Sequence, residues 1–250
     1  MTPRFPPVPR VIGHRGAARL APENTLAGLR KAKAEGATWV EFDVKLTADG
    51  IPIVLHDDTL ERTTNGTGPV ARLTLAEIAR LDAGSWWGPA FAGERVPTLE
   101  TALATLAELG LGANVELKPC PGREIETGRV VGAFLARAWP AALPPPLLSS
   151  FSPEALEAAR EVAPGIARGM LVHDRRAEWQ ILARRVDAVS VHTWRDFVTP
   201  DFAGAIRAAG YELLVYVVND AAEARRLFAL GVAAVFADAP GWILAATGSM

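Results

Sequence analysis

The sequence predicts an α/β chain folded as a (β/α)8 TIM barrel, with a small insertion after a β-hairpin extension of the second strand. Three observations predict it. Short β-prone apolar runs alternate with helix-like stretches from one end of the chain to the other. The 250 residues, half of them hydrophobic, suit one domain with a large buried core. No Gly-x-Gly-x-x-Gly follows the first strand, which counts against an open doubly wound sheet.

The predicted strands cover residues 10–14, 39–44, 113–118, 147–150, 167–172, 187–192, 212–218 and 233–237. Helices are predicted between them at 25–35, 99–109, 124–138, 153–162, 177–185, 200–209 and 221–230. Asn24 after Pro22 is the expected N-cap of the first helix, whose buried stripe begins at Leu26 and Leu29. Gly36, Gly210 and Gly231 stand where helix ends need left-handed backbone angles. Pro153 falls in a first helical turn, where no backbone donor is required.

One segment breaks the rhythm. Asp49-Gly50 between two β-prone runs signals a hairpin, and a parallel crossover would need about a dozen or more residues. Residues 51–55 therefore read as an antiparallel return strand that sets His56 opposite Phe42, between Glu41 and Asp43. Residues 57–97 form a loop-rich insertion expected over the barrel mouth, with a short helix near 75–81 and the pair Trp86-Trp87. They are much longer than an ordinary βα connection, and long βα loops tend to be functional. Residues 1–250 are expected to form one catalytic barrel domain that includes this insertion.

Composition narrows the partners. A formal charge of −2 gives no electrostatic footprint for nucleic acid or an anionic membrane. Cys120 is the single cysteine; flanked by prolines, with no Cys or His beside it, it suggests no soft-metal site. The proline-rich start has no long apolar run, and no stretch has the ~18 to 20 apolar residues of a membrane span. A soluble, cytoplasmic protein without stable membrane insertion is expected.

Alternation decides which side chains share the barrel interior. Val40, Phe42 and Val44 form an apolar face toward the helices, so Glu41 and Asp43 point inward. In the third barrel strand Asn114, Glu116 and Lys118 share the inward phase. One inward Glu is more often a salt-bridge partner than a ligand. Three carboxylates with a single Lys among them would repel one another unless a divalent cation intervened, and all-oxygen donors favour Mg2+ or Ca2+.

His14 ends the first strand and Arg15 follows it, at the barrel face where catalytic side chains gather. Arg15 offers a planar fork for phosphate oxygens and Lys118 a compact second charge. His14 and His56, flanking a metal and two cations, suit an in-line phosphoryl displacement; which one takes and which gives the proton is left open. His173 is expected in solvent, and His192 at a strand end lining the pocket without a chemical role.

These residues fall in a series: His14-Arg15-Gly16, Pro22-Glu23-Asn24-Thr25, Glu41-Phe42-Asp43-Val44, Leu46-Thr47-Ala48-Asp49-Gly50, His56-Asp57, Pro97-Thr98-Leu99-Glu100, Val115-Glu116-Leu117-Lys118 and Ser150-Phe151. In order and content the series resembles the glycerophosphodiester phosphodiesterases. The resemblance implies a (β/α)8 barrel that hydrolyses a small-molecule glycerophosphodiester to glycerol 3-phosphate and an alcohol. It also implies metal at Glu41, Asp43 and Glu116, acid–base work at His14 and His56, and phosphate contacts from Arg15 and Lys118. Two departures occur: Tyr216 stands where relatives commonly carry Trp, and Ala237-Asp238 where Thr-Asp is usual. Both are expected to bear on substrate shape, away from the metal and proton-transfer positions.

Two alternatives remain. A phospholipase D-like enzyme acting on lysophospholipids would need an apolar channel, for which Trp86, Trp87 and Phe91 are candidate walls, although a local core under the loop is the blander role for them. A catalytically silent phosphodiester-binding module is opposed by the intact set of ligands and histidines.

Overall fold

A computed structural model of the chain describes residues 4–173 and 178–248. Strand β1 (Val11–Gly13) leads through α1 (Leu26–Ala34) to β2 (Trp39–Leu46), which turns back as β3 (Pro52–Val54). A segment with one short helix, α2 (Leu75–Ile78), follows. Strand and helix then alternate through α3 (Leu99–Leu109), β4 (Gly112–Leu117), α4 (Glu124–Ala138), β5 (Leu147–Ser150), α5 (Pro153–Val162) and β6 (Ala167–Val172). The remainder is α6 (Trp179–Arg185), β7 (Ser190–Trp194), α7 (Pro200–Ala208), β8 (Glu212–Tyr216), α8 (Ala221–Ala229), β9 (Ala234–Ala237) and α9 (Pro240–Thr247).

Parallel pairing runs from β2 through β4 to β9 and on to β1, and the pairing of Gly13 with Val40 closes the circle. The eight parallel strands form the predicted barrel. β3 lies outside that circle, antiparallel to β2 in the register Val44–Val54. The Leu55 N–H to Asp43 carbonyl bond (3.0 Å) carries this register one step on, and the next step along it sets His56 opposite Phe42, as the hairpin predicts.

The β2–β4 register sets Glu41 beside Asn114 and Asp43 beside Glu116. Outward residues Val40, Phe42, Val44, Val115 and Leu117 join the core between strands and helices. Each such buried side chain is worth about 1.5–3 kcal/mol. Inside, Trp39, Leu147, Ala167 and Ala234, each the first residue of its strand, pack with Ile12, Leu214 and Phe236. This apolar plug fills the N-terminal end of the barrel, so polar inward residues gather at the other end.

Several boundaries differ from expectation. Thr25, not Asn24, caps α1, accepting the Gly28 N–H at 3.1 Å. Asn24 is instead left-handed (φ 58°) and bonded to Asp43, a long-range demand that outweighs its capping propensity. β7 begins at Ser190 rather than 187, because Asp187 turns left-handed (φ 53°) after α6 and Arg168 donates to the Val186 and Asp187 carbonyls. Helix α9 was not expected; almost wholly apolar, it shows no polar face to mark a period. The predicted start of α6 at Ala177 lies outside the described residues.

Between β3 and α3, Leu60, Val70, Ile78, Ala83 and Val96 pack with Ile53, Leu55 and Cys120 into a small core of their own. Cys120 is thus a packing residue, and burial pushes its thiol pKa up. Among the described residues no helix is long and apolar enough to cross a membrane.

Candidate active site

Glu41, Asp43 and Glu116 are buried together, with donor oxygens all within 4.8 Å of one another. Lys118 Nζ donates to Glu116 Oε1 at 2.8 Å and lies 3.8 Å from Asp43. Arg15 Nε is 3.4 Å from Asp43, and the Arg15 backbone N–H donates to Glu41 Oε2 at 2.9 Å. Ion pairing therefore accounts for part of the cluster. It does not account for Glu41 Oε1, which is buried with no partner among the described residues.

The titration behaviour shows the same conflict. Burial and the charges of Asp43 and Glu116 push the Glu41 carboxyl well above its ordinary value. Burial, then Asp43, pushes Glu116 up to about 7. Asp43, although buried, is held low by Arg15 and Lys118. Two carboxyls forced toward protonation beside a third that stays ionised form a set that a divalent cation would relieve. The donors fit Mg2+ or Ca2+ in kind: hard oxygens from flexible carboxylates.

The turn after β1 exists to bring His14 and Arg15 to this cluster. Arg15 is left-handed (φ 47°), and Gly16 (φ 84°) has no room for a Cβ, which would meet the Gly28 carbonyl carbon at 2.6 Å. His14 Nδ1 bonds Asp238 Oδ1 at 2.7 Å. Asn219 holds Asp238 in turn, donating to Oδ2 at 2.6 Å and accepting the Asp238 N–H at 2.8 Å. Burial raises the Asp238 carboxyl, but hydrogen bonds from His14 and Asn219 bring it below its usual value. The expectation that the Ala237-Asp238 stretch lies away from the proton-transfer positions is therefore wrong. Asp238 orients one of those histidines.

His56 is built alike. Its Nδ1 bonds Asp57 Oδ1 at 2.6 Å, and Arg62 donates to both oxygens of Asp57, at 2.6 and 2.9 Å. Burial lowers the His56 pKa and outweighs the attraction of Asp43. An aspartate at Nδ1 fixes the tautomer and leaves Nε2 to exchange protons; His14 Nε2 lies 3.9 Å from Glu41.

A cavity of about 220 Å³ opens beside these groups. Phe151, Trp194 and Tyr216 wall it, packed edge to face, and Asn114 and His192 line it. His192 lies within β7 rather than at its end, is fully buried, and bonds Ser190 Oγ at 2.9 Å. His173 is exposed as expected, and its ring stacks on Phe151 with centroids 4.1 Å apart. Trp86 and Trp87, 40% and 37% exposed, line a neighbouring groove with His14, Arg15 and Glu23. They are not part of the small core beneath the insertion.

The structure thus brings together every candidate read from the sequence: His14, His56, Arg15, Lys118, Glu41, Asp43 and Glu116. Sequence reasoning missed Asp238, Asn219, Asn24 and Arg62. Pro22-Glu23-Asn24 was visible as a motif, yet its partners lie elsewhere: Asp43 on β2, Arg15 after β1 and Arg62 in the insertion.

Buried carboxylates, two cations and two aspartate-backed histidines at the open end of a barrel define a phosphoric ester hydrolase by class. Comparison with known proteins specifies it. The profile of the glycerophosphoryl diester phosphodiesterase family matches residues 14–242, and the chain belongs to that family. A glycerophosphodiester phosphodiesterase of Caldanaerobacter subterraneus is 34% identical over 236 residues, covering 92% of this chain and 94% of the relative. A phosphodiesterase of Oleispira antarctica, solved in complex with its product sn-glycerol-3-phosphate, superposes with a TM-score of 0.92 at 43% identity, covering 96% of this chain and 97% of that one. The glycerophosphodiester phosphodiesterase of Agrobacterium tumefaciens gives 0.78 at 33% identity, with 95% and 100% covered.

Proposed function

We propose that the chain hydrolyses glycerophosphodiesters to sn-glycerol 3-phosphate and an alcohol, using one Mg2+ or Ca2+ ion at Glu41, Asp43 and Glu116. The observation that carries this reading is the buried, partly unpartnered carboxylate trio sharing one rim with Arg15, Lys118 and two histidines. When bound, the ion supplies positive charge against that building on the phosphate oxygens. Arg15 and Lys118 grip those oxygens from the protein side. With Nδ1 of each imidazole committed to an aspartate, one Nε2 takes a proton from the attacking oxygen, of water or of a glycerol hydroxyl whose cyclic phosphate water then opens, and the other gives one to the leaving alcohol oxygen.

The cavity supports seating the glycerol end inward. Asn114 Oδ1 and His192 Nδ1, both buried and without partners among the described residues, belong to lining residues that can bond its hydroxyls. The alcohol then projects toward Trp86 and Trp87. In this reading residues 1–250 are one catalytic domain, and the 57–97 insertion borders its mouth. The exposed Trp pair also gives the lysophospholipid reading its single support.

Incubation with glycerophosphocholine and glycerophosphoethanolamine in the presence of Mg2+ or Ca2+, with sn-glycerol 3-phosphate release followed by a coupled dehydrogenase, tests the proposal. Release from either diester is expected. Failure on all such diesters would favour lysophospholipid chemistry or a silent binding module.

A further inference from the structure

Arg62 reaches out of the insertion and touches the machinery of both catalytic turns. It donates to Asp57 through Nε (2.6 Å) and one terminal nitrogen (2.9 Å), and to both oxygens of Glu23 at 2.8 Å. Asp57 Oδ1 is also the partner of His56 Nδ1, and Glu23 Oε1 also accepts from Arg15 at 2.7 Å. The result is an unbroken chain of charge-assisted bonds: His56, Asp57, Arg62, Glu23, Arg15.

We propose that Arg62 is a positioning residue that holds the His56–Asp57 pair and the Arg15 guanidinium in mutual register. This rests on the roles given above to His56 and Arg15. Stability does not explain the arrangement, because the Arg62 side chain is 45% exposed and exposed ion pairs contribute little. Geometry does. Arg62 presents a planar fork to two carboxylates at once, and both its targets already hold a group assigned to the reaction.

The backbone beneath Arg62 is anchored on either side. Leu60 is fully buried in the insertion's core, and the Thr64 hydroxyl donates to the Leu60 carbonyl at 2.7 Å while accepting the Gly66 N–H at 3.0 Å. Asn65 is tied to Asp82 by bonds of 3.0 and 2.8 Å in opposite directions. The Thr63-Thr64-Asn65-Gly66 stretch therefore serves as a fixed mount for Arg62. Glu23 is mounted similarly: the adjacent Asn24 is locked to Asp43, and its N–H bonds the Arg15 carbonyl at 3.1 Å. Hydrogen bonds from Arg62 keep the Asp57 carboxyl below its usual range, so it stays an anion opposite His56.

Without Arg62, Asp57 loses the donor that holds both its oxygens, and His56 Nδ1 loses a fixed partner. Glu23 is left with Arg15 alone, which draws the guanidinium away from phosphate. Outer partners that orient the working groups of a metal site are typically worth about 10- to 100-fold.

Turnover of glycerophosphocholine by Arg62→Ala, Arg62→Lys, Asp57→Asn and Arg62→Ala/Asp57→Asn, with melting temperatures, decides the matter. The proposal expects Arg62→Ala to lose at least tenfold in kcat at a near-native melting temperature and to regain part of it with millimolar guanidinium. Arg62→Lys, which can meet one carboxylate at a time, should fall between. Because Arg62 acts partly through Asp57, the double variant should lose less than the product of the two single losses, exceeding Asp57→Asn by the share that runs through Glu23 and Arg15. Turnover within twofold of wild type in both Arg62 variants would overturn the proposal, as would losses that multiply in the double variant. A wild-type enzyme inactive on every glycerophosphodiester would overturn the hydrolase reading and this proposal with it; an active wild type with indifferent Arg62 variants overturns this proposal alone.

Discussion

The 2.7 Å bond between His14 Nδ1 and Asp238 Oδ1 joins the end of the first barrel strand to the end of the last, across 224 residues of sequence. It gives His14 a fixed ring orientation and tautomer. Asp238→Asn removes the carboxylate charge with little change of shape, and turnover should fall about 10- to 100-fold, the range usual for groups that orient a working imidazole. The melting temperature and the affinity for a divalent ion should stay near wild type. Steady-state kinetics, calorimetry and thermal melts check all three; unchanged turnover would leave the Asp238 bond without a catalytic part.

Both histidines project from strand ends and not from the apolar core, so losing either should cost activity before stability. His14→Ala and His56→Ala should each drop in kcat by about 10²- to 10⁴-fold, as expected on losing an acid–base group. A variant that keeps more than about a tenth of wild-type turnover would have no proton-transfer role.

The barrel and its acidic trio were legible because each rests on local pattern. Alternation along β2 and β4 is enough to put Glu41, Asp43 and Glu116 on one face, and Asp49-Gly50 is enough to turn β3 back toward them. What stayed hidden depends on closure. Asp238 meets His14 only once β9 pairs with β1, with Asn219 bonded behind it, and no spacing in the chain announces that. Asn24 looked like a helix cap because its side chain suits one; its bond to Asp43 lies a strand away. Arg62 lies in the loop-rich insertion, where no local pattern marks it, and its two carboxylate partners come from different loops.

Trp86 and Trp87 border the groove beside His14, Arg15 and Glu23, each with its indole N–H bonded to a backbone carbonyl. Trp86→Ala and Trp87→Ala should change the ratio of kcat/KM between glycerophosphocholine and a lysophospholipid by an amount worth ~1 to 3 kcal/mol. The metal requirement should not change. Equal losses on every substrate together with a lowered melting temperature would mean that the tryptophans only hold the insertion together.

His192 makes a prediction about stability in acid. Burial pushes its pKa down to about 3, so the folded protein keeps it neutral where the unfolded chain, with an ordinary value of about 6.5, takes up a proton. The unfolded state binds more protons over that window, so stability is full above about pH 6.5 and declines as pH falls toward 3. Between pH 7 and pH 5 the wild type should lose about 2 kcal/mol more than His192→Gln in urea unfolding. Identical losses would show that His192 does not stay neutral when folded.

Removing and returning the ion bears most directly on the carboxylate trio. Protein chelated to exhaustion should lose hydrolysis of glycerophosphocholine, and one equivalent of Mg2+ or Ca2+ bound at Glu41, Asp43 and Glu116 should restore it. Glu116→Gln should need far more of the ion to recover, because it gives up one of three charged donors. Full turnover after exhaustive chelation would contradict the assignment of these three residues as the metal site.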